Sequence, residues 1–433
     1  MLLATLRCQA WRRPSPGHSI QFLFAPKFRS FSRPSRSLLQ EVKAPGVPPL
    51  KDAAGLSRGS GPSFYEKVGS PGIARQIFFV GIASYFTFSL AASITTVQTE
   101  TIVERMVEAS PIWAVKTITN ADIKRVQNAN LIQNLREKLA SFQSTVQHLP
   151  VLLQPWVNRA CIAVMQPWAD ASEAKRLCWK ICMLNFAVWS AWKVKSWRGF
   201  MNKRFMHDPL SGKSYTLLTS AFSHQSFIHL LCNCLALESF GAAAYYYLLR
   251  EQNKAEPEIL EKTSSFHFLA FFMTAAMFSG LVSHIVNAKI LFPRVVRQLA
   301  ALKPKTETWA AAVATTTNAA KEVPKKKIIE ILPSLGASGG IYAAVTMTAL
   351  AFPDSQVALF IPPSYPINIQ VGVGGLLLMD TIGILRGWRF FDHWAHLGGA
   401  AFGVFYYAYG PSYWLDLRKR AAKAAKQIDP AVS

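Results

Sequence analysis

Long uncharged stretches alternate with short charged ones over most of this chain. The clearest uncharged runs are Gln76–Thr99, Ser264–Ala288, Leu335–Phe352, Ser355–Met379 and His393–Leu415. At about 1.5 Å per helical residue, each is close to the ~30 Å needed to cross a hydrocarbon core. Soluble helices rarely lack charge on every face, so the runs predict membrane helices and not buried core helices. Weaker runs at 177–195, where Lys180 and Lys193 can snorkel, and at 214–246, long for one crossing, bring the count to seven. The predicted fold is all-α: a polytopic membrane helix bundle with one leading span and six more closely spaced ones.

Charge divides the chain further. Residues 1–40 hold six Arg and one Lys with no acid, in a Ser-rich context without an apolar core. That is the composition of an organellar presequence rather than a secretory signal. The expected organisation is a mitochondrial presequence at 1–45, a Pro/Gly/Ser-rich linker at 46–75 and a first transmembrane helix at 76–98. A soluble loop at 99–176, a core at 177–410 and a basic tail at 411–433 complete it. The 193–213 loop carries six Lys/Arg against one acid, and the 289–333 loop nine against three. The 248–263 loop carries three against four, and 353–365 has no Lys or Arg. By the positive-inside rule, this alternation places the N-terminus in the matrix, with the tail as an exception.

The formal charge of +23 raises nucleic acid as a partner. The excess lies in the presequence and beside apolar spans, with no basic stripe interleaved with aromatics, so no nucleic-acid partner is expected. Six cysteines show no CxxC pair and no zinc-type spacing. They read as small buried residues, with no metal and no cofactor implied. The sequence carries no signal for the number of copies in an assembly.

Ionisable groups inside membrane spans are costly and mark functional sites. His224, His229 and Asn233 occur in "FSHQSFIHLLCNCLALESFG", His393 and His396 in "FDHWAHLGGAAFG", and Ser338 in "GASGG". His229 and Asn233, four apart, share a helix face. A serine at a helix start has free N–H groups and the dipole beside it. His396 on another span can serve as its base. The Ser338 N–H, His229 and Asn233 suit an oxyanion. Tyr342, one turn below Ser338, can pack on the imidazole where a third carboxylate is lacking. Gly339 and Gly340, with Gly399 and Gly403, permit close helix approach. His393 and His396 could ligate a metal, but neither a third ligand nor an HExxH accompanies them.

These motifs together, "SHQSFIHLLCN", "GASGGIY" and "AHLGGAAFG" on successive spans, resemble the rhomboid family of intramembrane serine proteases. The presequence and leading span resemble its mitochondrial members, the fungal branch in particular. The resemblance covers about 177–410. It implies a Ser338 nucleophile and a His396 general base, with His229 and Asn233 at the oxyanion and Gly336, Tyr342 and Gly399 in support. It also implies membrane-anchored protein substrates cut in or near a transmembrane helix, in the lipid bilayer of the mitochondrial inner membrane. His393 is a neighbour and not a catalyst. Trp197-Arg198 stands too far from the histidine helix to be assigned the family's loop role. Two rivals compete: an α/β-hydrolase using GxSxG with Asp392 and His396, and a non-catalytic binding protein or transporter of similar fold.

Overall fold

A computed structural model describes residues 71–110, 112, 117–224, 226–254, 259–301, 330–358 and 364–428. The expected presequence and most of the linker lie outside the described residues. Nine helices of ten or more residues organise the rest: α1 (Ala74–Ala109), α2 (Asn120–Val146), α3 (Gln154–Asp170), α4 (Glu173–Ala191), α5 (Phe227–Asn253), α6 (Ser265–Gln298), α7 (Ser338–Ala351), α8 (Ile369–Arg386) and α9 (His393–Ile428). The only sheet among the described residues is a two-residue antiparallel pair, β1 (Gln356–Val357) with β2 (Ile367–Asn368). A parallel sheet carrying a nucleophile elbow is therefore absent from the described residues, and the α/β-hydrolase reading fails.

α1, α5, α6 and α8 are long and apolar enough to cross a membrane, and α7 is a shorter apolar helix. With α4 and α9 they form one leading helix and a six-helix core. Large side chains such as Phe78, Phe86, Phe186 and Leu378 point outward, as lipid-facing positions do. The inward faces meet in an aromatic centre of Phe268, Phe271, Phe272, Phe402 and Tyr406. α7 lies within it, burying Gly339, Gly340, Ile341, Ala343, Ala344 and Val345. Lipid offers no hydrophobic drive for helix association, so small residues that let backbones touch take over that role. A Cβ on Gly399 would collide with the Gly339 carbonyl oxygen, and one on Gly403 with that of Ala343.

Three differences from the expected elements bear on function. The 214–246 run is not one crossing: α5 starts at Phe227, and 214–226 forms short turns leading into it. The 99–176 segment is largely helical. α1 continues to Ala109, and α2 and α3 follow as a hairpin. α7 has only 14 residues, about 21 Å at the helical rise, and so falls short of the ~30 Å of a full crossing.

Candidate functional site

The turn before α7 requires glycine. Gly336 has φ +135°, a region that side chains strain to adopt. A Cβ there would lie 2.9 Å from His229 Cε1 and 3.8 Å from Ser338 Oγ. The missing side chain thus leaves one open point flanked by the serine and by a histidine of α5. Gly336 N–H donates to the Ser220 carbonyl at 3.0 Å, and His207 and Ser334 exchange backbone hydrogen bonds of 2.8 and 3.0 Å. These bonds fasten the segment entering α7 to the turns before α5. Ser338 is the first residue of α7 and half-buried, with its hydroxyl beside the free N–H groups of the first turn.

His396 reaches this serine from the first turn of α9. Asp392 caps that helix: its Oδ1 accepts from Ala395 N–H at 3.1 Å, and its Oδ2 accepts from Ser283 Oγ at 2.7 Å. The carboxylate that a hydrolase triad would have drawn on is therefore a helix cap. His396 Nε2 lies 2.9 Å from Ser338 Oγ. The 339/399 and 343/403 backbone contacts set that distance, because they leave no gap between α7 and α9.

The third carboxylate, absent from the sequence reading, is present. Asp380 on α8 is fully buried, and its Oδ1 lies 3.0 Å from His396 Nδ1. His393 Nδ1 approaches the same oxygen at 2.5 Å. Carboxylate oxygen only accepts, so each Nδ1 carries its proton and donates. That tautomer leaves His396 Nε2 as an acceptor for the Ser338 hydroxyl. Tyr342 stacks on the imidazole with centroids 4.2 Å apart and planes 11° apart. The ring is thus held by stacking on one face and by a carboxylate along its edge. Asp380 carried a usable signal, as a lone acid in "LLLMDTIGIL" subject to the same cost argument as the histidines.

Among the remaining sequence candidates, His229 flanks the Gly336 gap. His224, buried, meets His229 edge to face at 5.1 Å. Asn233 is buried one turn further along α5, and its amide nitrogen donates to the His229 carbonyl at 2.8 Å. One of its two N–H groups is engaged there. Asp380, His393 and His396 are close enough together to hold a metal ion. Their two Nδ1–H groups converge on Asp380 Oδ1 and His396 Nε2 is directed to Ser338, while His393 Nε2 is buried without a hydrogen-bond partner.

Residues 211–412 match the rhomboid domain. Presenilin-associated rhomboid-like protein A, mitochondrial, of Danio rerio is 29% identical over 259 residues, covering 60% of this chain and 53% of its own. The Homo sapiens presenilin-associated rhomboid-like protein, mitochondrial, is 28% identical over 244 residues, covering 56% and 50%. Rhomboid protein 1, mitochondrial, of Saccharomyces cerevisiae is 25% identical over 255 residues, covering 59% of each chain. The chain spans about half the length of the first of these curated relatives. No solved structure matches it.

Proposed function

We propose, from the premise that this chain belongs to the rhomboid family, that it is a serine endopeptidase cleaving membrane-anchored proteins within the bilayer. One observation carries the reading: an unbroken relay from Asp380 Oδ1 through both nitrogens of His396 to Ser338 Oγ, at 3.0 and 2.9 Å. Ser338 Oγ attacks the scissile carbonyl carbon while its proton passes to His396 Nε2. Asp380 keeps the imidazole in the required tautomer and stabilises the imidazolium that forms. The carbonyl oxygen becomes an oxyanion, with the Ser338 N–H, the His229 ring and the free N–H of Asn233 as its donors. His396 returns the proton to the departing amine, which leaves an ester on Ser338. Water, activated by the same imidazole, hydrolyses that ester.

The short α7 gives this chemistry its setting. Non-helical backbone at membrane depth is tolerated where it is buried in protein or lines a wet cavity. A substrate helix must unwind to present an extended peptide bond to the serine, because its carbonyls are otherwise hydrogen-bonded along the helix. The substrates are therefore single-span membrane proteins with a helix weakened near the cut.

We assign the protein to the mitochondrial inner membrane, with its N-terminus in the matrix and 1–45 removed on import. The Arg-rich leader, acid-free over residues 1–40, and the mitochondrial names of the relatives support this. A chain lacking 1–45 is expected outside mitochondria, and normal localisation of that deletion would refute the leader. A tag in the 289–333 loop is expected to resist protease in mitoplasts, and its digestion there would invert the topology.

The decisive experiment reconstitutes the purified chain with a single-span substrate, wild type beside Ser338→Ala. Cleavage by the wild type alone is expected. Equal cleavage by both would end the serine-protease reading.

A further inference from the structure

The α2–α3 hairpin is fastened to the end of the bundle away from Ser338. Asn120 Oδ1 accepts from the Glu261 N–H at 2.7 Å, and Asn120 Nδ2 donates to Asn253 Oδ1 at 3.1 Å. Gln127 Nε2 donates to the Lys262 carbonyl at 3.0 Å. These partners belong to the connection between α5 and α6. Glu173 at the head of α4 lies at the same level, its Oε1 accepting from Ser265 Oγ at 2.9 Å. The hairpin is thus rooted where three spans leave the membrane.

Its tip is the opposite of its root. Val151 is 81% exposed, Leu152 80%, Trp156 67% and Val164 74%. α3 buries none of its residues. Clusters of exposed apolar side chains of this kind mark an interaction surface. Its chemistry is that of a bilayer interface. From Lys138 to Ala169 there is no acid, while Lys138 and Arg159 are present. Arg159 lies over the Trp156 ring at 5.8 Å. α3 starts and ends on the same triplet, Gln154-Pro155-Trp156 and Gln166-Pro167-Trp168, which sets a tryptophan at each end. Tryptophan favours the headgroup level, where its ring is apolar and its N–H is wet.

Contact with α4, read as a span from its apolar run, is direct at the α3 end. Trp168 packs against Trp179 of α4 with centroids 6.0 Å apart, and Lys180 Nζ sits 5.9 Å over Trp168. Trp179 stands six residues into α4, about 9 Å below its head at the helical rise. A little further along α4, Met183, Leu184 and Phe186 face outward. The end of α3 therefore packs on α4 beside its outward-facing apolar side chains.

We propose that α3 and the hairpin tip lie in the bilayer interface, their apolar side chains in the upper acyl region of a phospholipid leaflet containing anionic headgroups. The hairpin is then an in-plane anchor on the leaflet away from Ser338. It would fix the depth and tilt of α1 and α4, the two spans it joins.

The test uses the full chain in vesicles of equal parts phosphatidylcholine and phosphatidylglycerol. With the natural cysteines replaced, a single cysteine at Leu152 or Val164 carries an environment-sensitive fluorophore. Phe186→Cys is the lipid reference and Glu137→Cys the water reference. The expected result is that labels at 152 and 164 behave like 186: blue-shifted, protected from aqueous iodide and quenched by nitroxide lipids. A nitroxide high on the acyl chain should quench more than one near its end. Behaviour like 137 would overturn the proposal. So would protection from both quenchers, which would mean a second copy covering the face. The unsubstituted chain, irradiated with a photoactivatable phospholipid, provides a check that no cysteine replacement can spoil. Lipid adducts within 149–164 are expected there, and their absence beside adducts on α4 would equally overturn the proposal.

Discussion

Two ends of the bundle bury polar groups, and they differ in how their hydrogen bonds finish. At the end away from Ser338, His267 lies between Gln252 Nε2 and the Tyr406 hydroxyl, 2.7 Å from each, and is stacked on Trp414 at 4.2 Å. Trp414 Nε1 donates to the Glu261 carboxylate at 3.2 and 3.3 Å. Arg418 donates to the Leu260 carbonyl at 2.9 Å, the Ala92 carbonyl at 3.4 Å and Thr96 Oγ1. These bonds end on backbone carbonyls and on neighbouring side chains, tying α1, α5, α6 and α9 together. At the other end, the chain from Asp380 through His396 ends on a half-buried hydroxyl with a glycine gap beside it. A closed network adds rigidity. A network that ends on an accessible nucleophile is placed to transfer a proton. Burial and charge alone do not distinguish the two; the free end does.

Breaking the open network should give the largest effects. Ser338→Ala and His396→Ala should each abolish cleavage of a single-span substrate, and the double variant should be no worse than either. Additive losses would mean that the two residues do not act as one unit. Asp380→Asn preserves volume but removes the charge that stabilises the imidazolium and replaces one acceptor oxygen by an NH2 donor, which favours the wrong tautomer. A loss of about 10²- to 10⁴-fold in kcat is expected, with KM little changed. His393→Ala should keep most activity, because Asp380 Oδ1 would then serve His396 alone. If His393→Ala matched Asp380→Asn instead, the two histidines would be acting jointly, and retention of activity after chelation would still separate that case from a metal site.

Asn233→Ala should cost less, roughly 10- to 1,000-fold, as expected for one oxyanion donor. Because the Asn233 amide also braces the His229 carbonyl, a variant that lost activity through local unfolding would lose thermal stability as well. Unchanged melting with reduced kcat is the expected outcome.

The closed network should respond the other way. Burial pushes the Glu261 carboxyl up to about 7, with Arg418 and the Trp414 bond opposing it. The fold therefore holds this proton more tightly than the unfolded chain does. The stability gained is full below the ordinary carboxylate range and is lost as pH rises from there to about 7. The loss is a few kcal/mol at most. Glu261→Gln has no proton to lose and should flatten that slope in thermal unfolding, leaving kcat unchanged. A drop in kcat for Glu261→Gln would show that the two ends are coupled.

Much of this was legible in the residues. Runs without charge mark membrane helices because each buried charge in lipid is costly. Ser338, His396, His229 and Gly399 stood out as a joint pattern on successive spans, since each alone is common in packed membrane helices. The role of Asp380 was not legible: "LLLMDTIGIL" shows an acid in a span but not which side chain faces it. The His207–Ser334 pairing gave no signal either, since backbone hydrogen bonds leave no pattern in side-chain identity.

The sequence by itself determined the helical class, and it singled out the glycines of the α7–α9 contact and the pair Ser338 and His396 that meets there. Those follow from hydropathy and side-chain chemistry, which each residue carries with it. Tertiary structure decided that the acid on α8 turns toward His396 and His393, and that Asp392 caps a helix while Asp380 completes the relay. It also decided that the α2–α3 hairpin carries an exposed apolar tip. Ser338 and His396 are 58 residues apart, and Asp380 and His396 are 16 apart on different helices. Such contacts depend on how helices rotate and cross, and that is fixed only when every small-residue contact is made at once.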